Sequence, residues 1–211
     1  MTGRFVTFEG IEGCGKSTQM DRLARQLRAA GHEVVATREP GGTALGLALR
    51  RILLGEAGIT PMAELLLYAA DRAQHLAEVV EPALARGAVV LGDRYLDATV
   101  AYQGHARGLG AEAVLALHRT PPLDRRPDRT LLLDLDPAEA LRRARARNDA
   151  QGTAAAEGRF EREGLAFHRA VRAGYRAIAA AEPGRVRVID ASGAVDEVAA
   201  RVAAALEDLL P

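Results

Sequence analysis

The chain has 211 residues, 48% hydrophobic and 27% charged, enough to bury one substantial core and too few for two ordinary domains plus a linker. Its 28 basic and 28 acidic side chains cancel to a formal charge of zero, which leaves no overall positive field to hold nucleic acid or an anionic membrane; no apolar run approaches the roughly 18 residues that span a bilayer. The one cysteine, Cys14, has no internal disulfide partner, and the apolar stretch after Met1-Thr2-Gly3-Arg4 stops at Glu9, so the expectation is a cytosolic chain with small molecules or a second copy of itself as partners.

Short apolar runs alternate with longer helical patterns along the chain. Strands are expected at residues 5–8, 34–36, 88–91, 130–135 and 186–189, and helices at 19–30, 45–54, 138–147 and 195–210. Five strands separated by helices predict a single α/β domain over residues 1–211, a doubly wound five-stranded parallel sheet with helices on both faces, because parallel neighbours need long crossovers. Residues 61–86 add more helix than one crossover requires, which suits a substrate site. The polar sequence after the third strand is given no element, and residues 120–129, with three prolines, read as a connector. Residues 148–158, rich in alanine and glycine, break a helical region and predict a flap within a lid at about 143–160.

After the first strand comes Gly10-Ile11-Glu12-Gly13-Cys14-Gly15-Lys16-Ser17, the pattern G-x-x-x-x-G-K-[ST], opening directly into a helix. Its glycines let backbone N–H groups turn inward around phosphate oxygens, and the helix N-terminus adds its positive end. Lys16 suits the β and γ phosphates of a nucleotide, and the Ser17 hydroxyl can ligate Mg²⁺. Lys16 is also the only lysine among the 28 basic residues. Where a charge alone is needed this chain uses arginine, so position 16 requires the compact, flexible ammonium. The absence of a second lysine excludes the guanine-reading Asn-Lys-x-Asp motif. Gly92-Asp93-Arg94-Tyr95 after the third strand is not an ATPase-type Asp-Glu strand end either. Arg38 and Arg94, near strand ends, and Arg72, in the inserted helices, read as anion clamps. These observations favour a small-molecule kinase; the alternatives are a kinase for another acceptor, and a nucleotide-dependent switch with no acceptor pocket. His75, His105 and His168 are not spaced as metal ligands and read as structural or exposed.

Four blocks resemble the bacterial-type thymidylate kinase family: Phe8-Glu9-Gly10-Ile11-Glu12-Gly13-Cys14-Gly15-Lys16-Ser17-Thr18; Thr37-Arg38-Glu39-Pro40-Gly41-Gly42-Thr43; Leu65-Leu66-Leu67-Tyr68-Ala69-Ala70-Asp71-Arg72-Ala73-Gln74-His75; and residues 92–104, from Gly92-Asp93-Arg94-Tyr95 to Tyr102-Gln103-Gly104. The resemblance implies a P-loop kinase with a lid that moves the γ-phosphoryl group of ATP to thymidine 5′-monophosphate in dTTP synthesis, with Mg²⁺, as a homodimer. It implies that Gly10, Ile11, Glu12, Gly13, Cys14, Gly15, Lys16, Ser17 and Thr18 bind ATP, with Ser17 and Asp93 at the metal. Arg38, Arg50 and Arg94 would hold the acceptor phosphate, Tyr68 would stack on thymine, and Arg72, Thr99 and Gln103 would face the base. Tyr102 would crowd the sugar 2′ position, and Glu12 would lie near the 3′-hydroxyl and the Mg²⁺ shell. Lys16, Arg94 and Glu12 would serve catalysis together with a lid arginine, Arg147 or Arg159. The chain departs from the family pattern at Tyr68, where phenylalanine is usual, at Ala98, where serine is usual, and in its alanine- and glycine-rich lid, which leaves the choice between the two lid arginines open.

Overall fold

Alternation of Val, Leu and Phe along short segments buries both faces of a central sheet. The computed structural model describes residues 3–55, 58–151, 159–160 and 162–210. Its strands are β1 (Arg4–Glu9), β2 (Val34–Arg38), β3 (Val89–Asp93), β4 (Arg129–Asp134) and β5 (Val186–Asp190), all parallel, in the order β2-β3-β1-β4-β5. Val6 and Phe8 of β1 join the larger apolar cluster, and Phe5 joins the smaller one, which contains Val90, Leu65, Leu76 and Tyr95. The expected five-stranded α/β architecture is present, with strands extended by one or two residues at most ends.

Register places the chemistry. Arg38 pairs with Asp93, and Asp93 with Phe8, so the carboxyl ends of β2, β3 and β1 finish level with one another. The chain leaves β1 towards β2 and returns through β3 before crossing to β4, and at such a reversal the loops diverge and open a crevice.

Helices cover the sheet. In α1 (Lys16–Ala29), Met20, Leu23, Ala24 and Leu27 recur at helical spacing and are buried. The helix expected at 45–54 is α2 (Ala44–Gly55), and the extra helix expected at 61–86 begins with α3 (Pro61–His75), capped by Thr60 Oγ1 accepting from Ala63 N with Pro61 in the first turn. A π-helical turn (Leu76–Val80) leads into α4 (Glu81–Ala85). The segment after β3 is helical where no element was expected: α5 (Leu96–Thr99), a π-helical stretch (Val100–Ala106) and α6 (Ala111–Leu117). In the expected flap, α7 (Pro137–Gln151) runs past the anticipated break at Asn148, and residues 152–158 lie outside the described residues. Two more helices complete the fold, the unanticipated α8 (Leu165–Ala181) and α9 (Val195–Ala204).

Two buried carboxylates tie these layers together. Asp97 receives both Nη groups of Arg185, at 2.7 and 2.8 Å, and the Thr130 hydroxyl at 2.8 Å. Because the Thr130 proton points at Asp97, Thr7 Oγ1, 2.9 Å away, must be the donor in the Thr7–Thr130 pair, which links β1 to β4. Glu9, fully buried at the end of β1, accepts from Tyr95 N and from Tyr175 Oη, both at 2.7 Å, and so fixes the turn after β3 and the middle of α8.

Burial, with Asp97 nearby, pushes the Glu9 carboxyl up to about 8 against the opposing pull of Arg94 and its hydrogen bonds. A folded-state value above the unfolded one means that this group's stabilising contribution is complete below the unfolded value and is lost as pH rises through the folded one. Wild type should therefore lose stability relative to Glu9→Gln between about pH 5 and pH 8, read as urea midpoints of both proteins across that range. Truncating Asp97 to alanine removes two of the Arg185 hydrogen bonds and leaves it only Glu182 and Thr130; the expected loss is about 1.5–3 kcal/mol, measured as a lower urea midpoint with the slope unchanged.

Candidate active site

The phosphate loop forms as its glycines demand. Gly10, Gly13 and Gly15 hold φ of 133°, 77° and 96°, and a Cβ on Gly13 would meet Ala140 O at 2.0 Å. Ile11 and Cys14 turn their side chains into the core, Thr18 stays exposed in the first turn of α1, and the loop backbone faces the crevice. Lys16 Nζ donates to Gly10 O (3.0 Å) and Ile11 O (2.9 Å), so the loop itself orients the ammonium at the helix N-terminus. Ser17 Oγ donates to Asp93 Oδ2 at 2.8 Å, which brings together the two residues expected at a metal.

The acid in this loop is strongly compensated. Arg94 adopts a positive φ of 73°, and its Nη2 donates to Glu12 Oε1 at 2.7 Å while Nη1 donates to Gly10 O at 3.0 Å. Tyr102 Oη lies 2.7 Å from both Glu12 oxygens, its ring sits 4.9 Å from the Arg94 Cζ, and His168 Nδ1 lies 3.5 Å from Glu12 Oε2. Burial pushes the Glu12 carboxyl up, but the Arg94 guanidinium, with His168, Lys16 and Tyr102, outweighs it and holds the group well below the usual carboxylate range. Glu12 is therefore an anion that faces arginine rather than a general base.

A buried chain of hydrogen bonds builds the other side of the crevice. Glu39, at the end of β2, accepts from Arg72 Nε (2.9 Å) through one oxygen, which also ion-pairs with Arg72 Nη2 (2.8 Å), and from His75 Nδ1 (2.8 Å) through the other. The Nε2 of His75 in turn lies 2.7 Å from the Thr37 hydroxyl. Gly42 packs flat on the His75 ring, where a Cβ would come within 2.6 Å. Asp71 Oδ1 accepts from Gly41 N at 3.3 Å, and burial together with Glu39 pushes its carboxyl up to about 6. The loop that carries Arg38 is thereby pinned to α3, and Arg50 Nη1 donates to Pro40 O at 3.2 Å. Arg72 Nη2 reaches Thr99 Oγ1 at 3.0 Å, and Gln103 Nε2 donates to Glu64 Oε1 at 2.6 Å.

These two constructions enclose one cleft of about 370 Å³. Glu12, Gly13, Lys16, Ser17 and Asp93 line it together with Tyr68, Arg72, Thr99, Tyr102 and Gln103; Arg38, Arg50 and Arg94 complete it as cations. A nucleotide switch has no use for that second set of residues. Arg147 and Asn148 also line the cleft, with Arg147 Nε and Nη2 both donating to Asn148 Oδ1. Arg159 does not. Its Nη1 donates to Leu53 O at 2.7 Å and its Nη2 pairs with Glu64 at 2.6 Å, which fastens Arg159 to α2 and α3.

Sequence reasoning missed Glu39, Glu64, His118 and Tyr175, all of which orient cleft residues. Glu39 stood inside a quoted block; its partners on α3, Arg72 and His75, lie tens of residues away, and no local pattern announces them. Among the histidines, His168 faces Glu12, which a purely structural reading of that residue did not anticipate.

Comparison with known proteins agrees with this geometry. A family model described as thymidylate kinase matches residues 8–202. The chain is 60% identical over 200 residues to a thymidylate kinase of Solidesulfovibrio magneticus, covering 94% of this chain and 96% of that one. It is 52% identical over 208 residues to one of Nitratidesulfovibrio vulgaris, covering 98% and 97%. A crystal structure of thymidylate kinase from Ehrlichia chaffeensis superposes with a TM-score of 0.79 at 31% identity, over 98% of this chain and all of that one. A phosphate loop facing a second polar wall across one cleft, on a chain this similar along nearly its whole length, leads to one assignment: the protein belongs to the thymidylate kinase family.

Proposed function

We propose that the chain transfers the γ-phosphoryl group of ATP to thymidine 5′-monophosphate, giving the diphosphate as a step towards dTTP. The observation that carries this reading is the single cleft shared by the phosphate loop and the Tyr68–Arg72–Gln103 wall. The acceptor phosphate has a second pKa near ~6 and is already a dianionic nucleophile at neutral pH, so the reaction needs alignment and charge stabilisation rather than a strong base. The compensated, ionised Glu12 is consistent with that requirement.

In this proposal the backbone of residues 10–18 cradles ATP and Lys16 moves from the loop carbonyls to the β and γ phosphates. Arg38, Arg50 and Arg94 hold the acceptor phosphate. Tyr68 stacks on the base, Arg72, Thr99 and Gln103 face its edge, and Tyr102, held against Glu12, fills the space beside the sugar. Ser17 Oγ and the Asp93 carboxylate are hard oxygen donors 2.8 Å apart, a set that would hold Mg²⁺, which when bound would supply charge neutralisation at the phosphates. Among the described residues no three acidic, histidine or cysteine side chains cluster as a metal site. Arg147, in the cleft, is the better candidate for stabilising the transferring phosphoryl group, and Arg159 is fastened to α2 and α3.

Cytoplasmic action is part of the proposal, consistent with the buried free thiol of Cys14. No described helix is long and apolar enough to cross a membrane. Homodimerisation is supported by an apolar face on α2 and α3, where Leu45, Leu47, Ile52, Met62 and Leu66 are each more than two-fifths exposed.

A coupled ADP-release assay with ATP and Mg²⁺, offering the monophosphates of thymidine, deoxyuridine, deoxyguanosine and deoxycytidine and thymidine itself, should show strong preference for thymidine monophosphate; ATP turnover indifferent to the acceptor would overturn the proposal. In the same assay Arg147→Ala should lower kcat by about 10³ with little change in KM, the scale of an arginine finger, and Arg159→Ala should retain most of kcat. In sedimentation velocity the wild type should run as a dimer and Leu66→Glu as a folded monomer, whereas a wild-type monomer would rule out this face as an interface.

A further inference from the structure

The guanidinium of Arg72 is only 1% exposed and has five N–H donors to place. Nε donates to Glu39 Oε2, Nη2 lies 2.8 Å from the same oxygen as an ion pair, and Nη2 donates to Thr99 Oγ1. The Tyr95 ring lies beneath it, 4.7 Å from Cζ. Nη1 lies 2.7 Å from His118 Nε2, the shortest of Arg72's hydrogen bonds. His118 is itself fully buried just past the end of α6, does not line the cleft, and has its Nδ1 2.8 Å from Val114 O. A carbonyl only accepts, so Nδ1 carries the hydrogen and Nε2 must present a lone pair to Arg72. Burial beside Arg72 keeps the ring neutral, with its pKa held down at about 4. Nε, one Nη2 hydrogen and one Nη1 hydrogen are thus committed to hydrogen bonds and Nη2 is held further by the Glu39 ion pair, so the second Nη1 hydrogen is left on a side chain that lines the cleft.

We propose that His118 is a positioning residue for acceptor choice: by accepting one Nη1 hydrogen of Arg72 it aims the other into the cleft, where it selects a pyrimidine with an oxygen acceptor at position 4 over one with an amino group there. This rests on the reading that Arg72 faces the base edge. A 4-oxo group accepts from the fixed donor; a 4-amino group presents hydrogens to it and leaves it unpaired. Without His118 the guanidinium keeps its Glu39 anchor but can swing Nη1 away, so recognition weakens while phosphoryl transfer keeps its own machinery.

The test is steady-state kinetics on His118→Leu, His118→Gln, Arg72→Gln and the Leu/Gln double variant, with thymidine and deoxycytidine monophosphates as acceptors. Gln places an oxygen near the Nε2 position and Leu removes the acceptor. His118→Leu should raise KM for thymidine monophosphate about tenfold, the scale of a hydrogen bond to a charged group, and narrow the preference over deoxycytidine monophosphate. kcat and KM for ATP should stay within about twofold, His118→Gln should recover wild-type values, and the Leu change should add nothing once Arg72 is Gln. If the Leu variant does not fold, His118→Asn, whose oxygen ends short of Arg72, should give the same KM effect. An Arg72→Gln defect with His118→Leu behaving as wild type would overturn the role of His118 and leave the base-edge reading standing; an Arg72→Gln enzyme with unchanged KM would overturn both. A loss spread equally over kcat and the ATP KM, or Gln as impaired as Leu, would reduce His118 to a helix-end packing residue.

Discussion

The carboxylate of Glu39 is 3% exposed and faces two partners on α3: Arg72 on one oxygen, His75 on the other. A buried carboxylate is tolerable only with such pairing, and removing one partner leaves an uncompensated charge, so the arrangement is strongly held once made. Through it the end of β2 cannot move without α3, and the spacing between the Arg38 loop and the Arg72–Gln103 wall becomes a property of the sheet rather than of a flexible arm. Register does the same for the phosphate side, because Arg38, Asp93 and Phe8 are consecutive neighbours across three strands. The cleft is thus preformed by backbone pairing in one direction and by a charged hydrogen-bond chain in the other.

Charge is concentrated in that cleft, although the chain as a whole is neutral. Arg38, Arg50, Arg94 and Arg147 gather against Lys16, and Glu12 and Asp93 sit among them. The local excess of cations suits a site that holds a triphosphate and a monophosphate at once, while the acids keep the arginines in place before substrate arrives. Arg94 illustrates the balance: its positive φ is a strained backbone state, stabilised by contacts to Gly10 O, Glu12 and Tyr102.

Much of the fold and the phosphate cradle were legible because their signals are local. A glycine-rich loop between a strand and a helix is encoded within eight residues, and parallel strands announce themselves as short apolar runs. The helices after β3 were not legible for a physical reason. Val100 to Gly104 are all buried in succession on a π-helical stretch, so no amphipathic period of 3.6 exists to be read. In α8 the buried residues His168, Val171, Gly174, Tyr175 and Ala179 do recur at helical spacing, so the period of that helix was present in the sequence although no element was assigned to it. The base-side network was invisible for a different reason: Arg72 meets Glu39 33 positions away and His118 46 positions away, and only the folded chain brings them together.

The solitary lysine gives the molecule an unusual chemical profile. Every ε-amine in the protein is Lys16 Nζ, 7% exposed as a residue and turned onto the carbonyls of its own loop. Acylating reagents, amine-directed cross-linkers and enzymes that conjugate lysine find no such group anywhere on the outer surface. Any chemistry that does reach a lysine side chain reaches the phosphate loop, so the extent of side-chain amine labelling reports on that one position without interference from the rest of the fold.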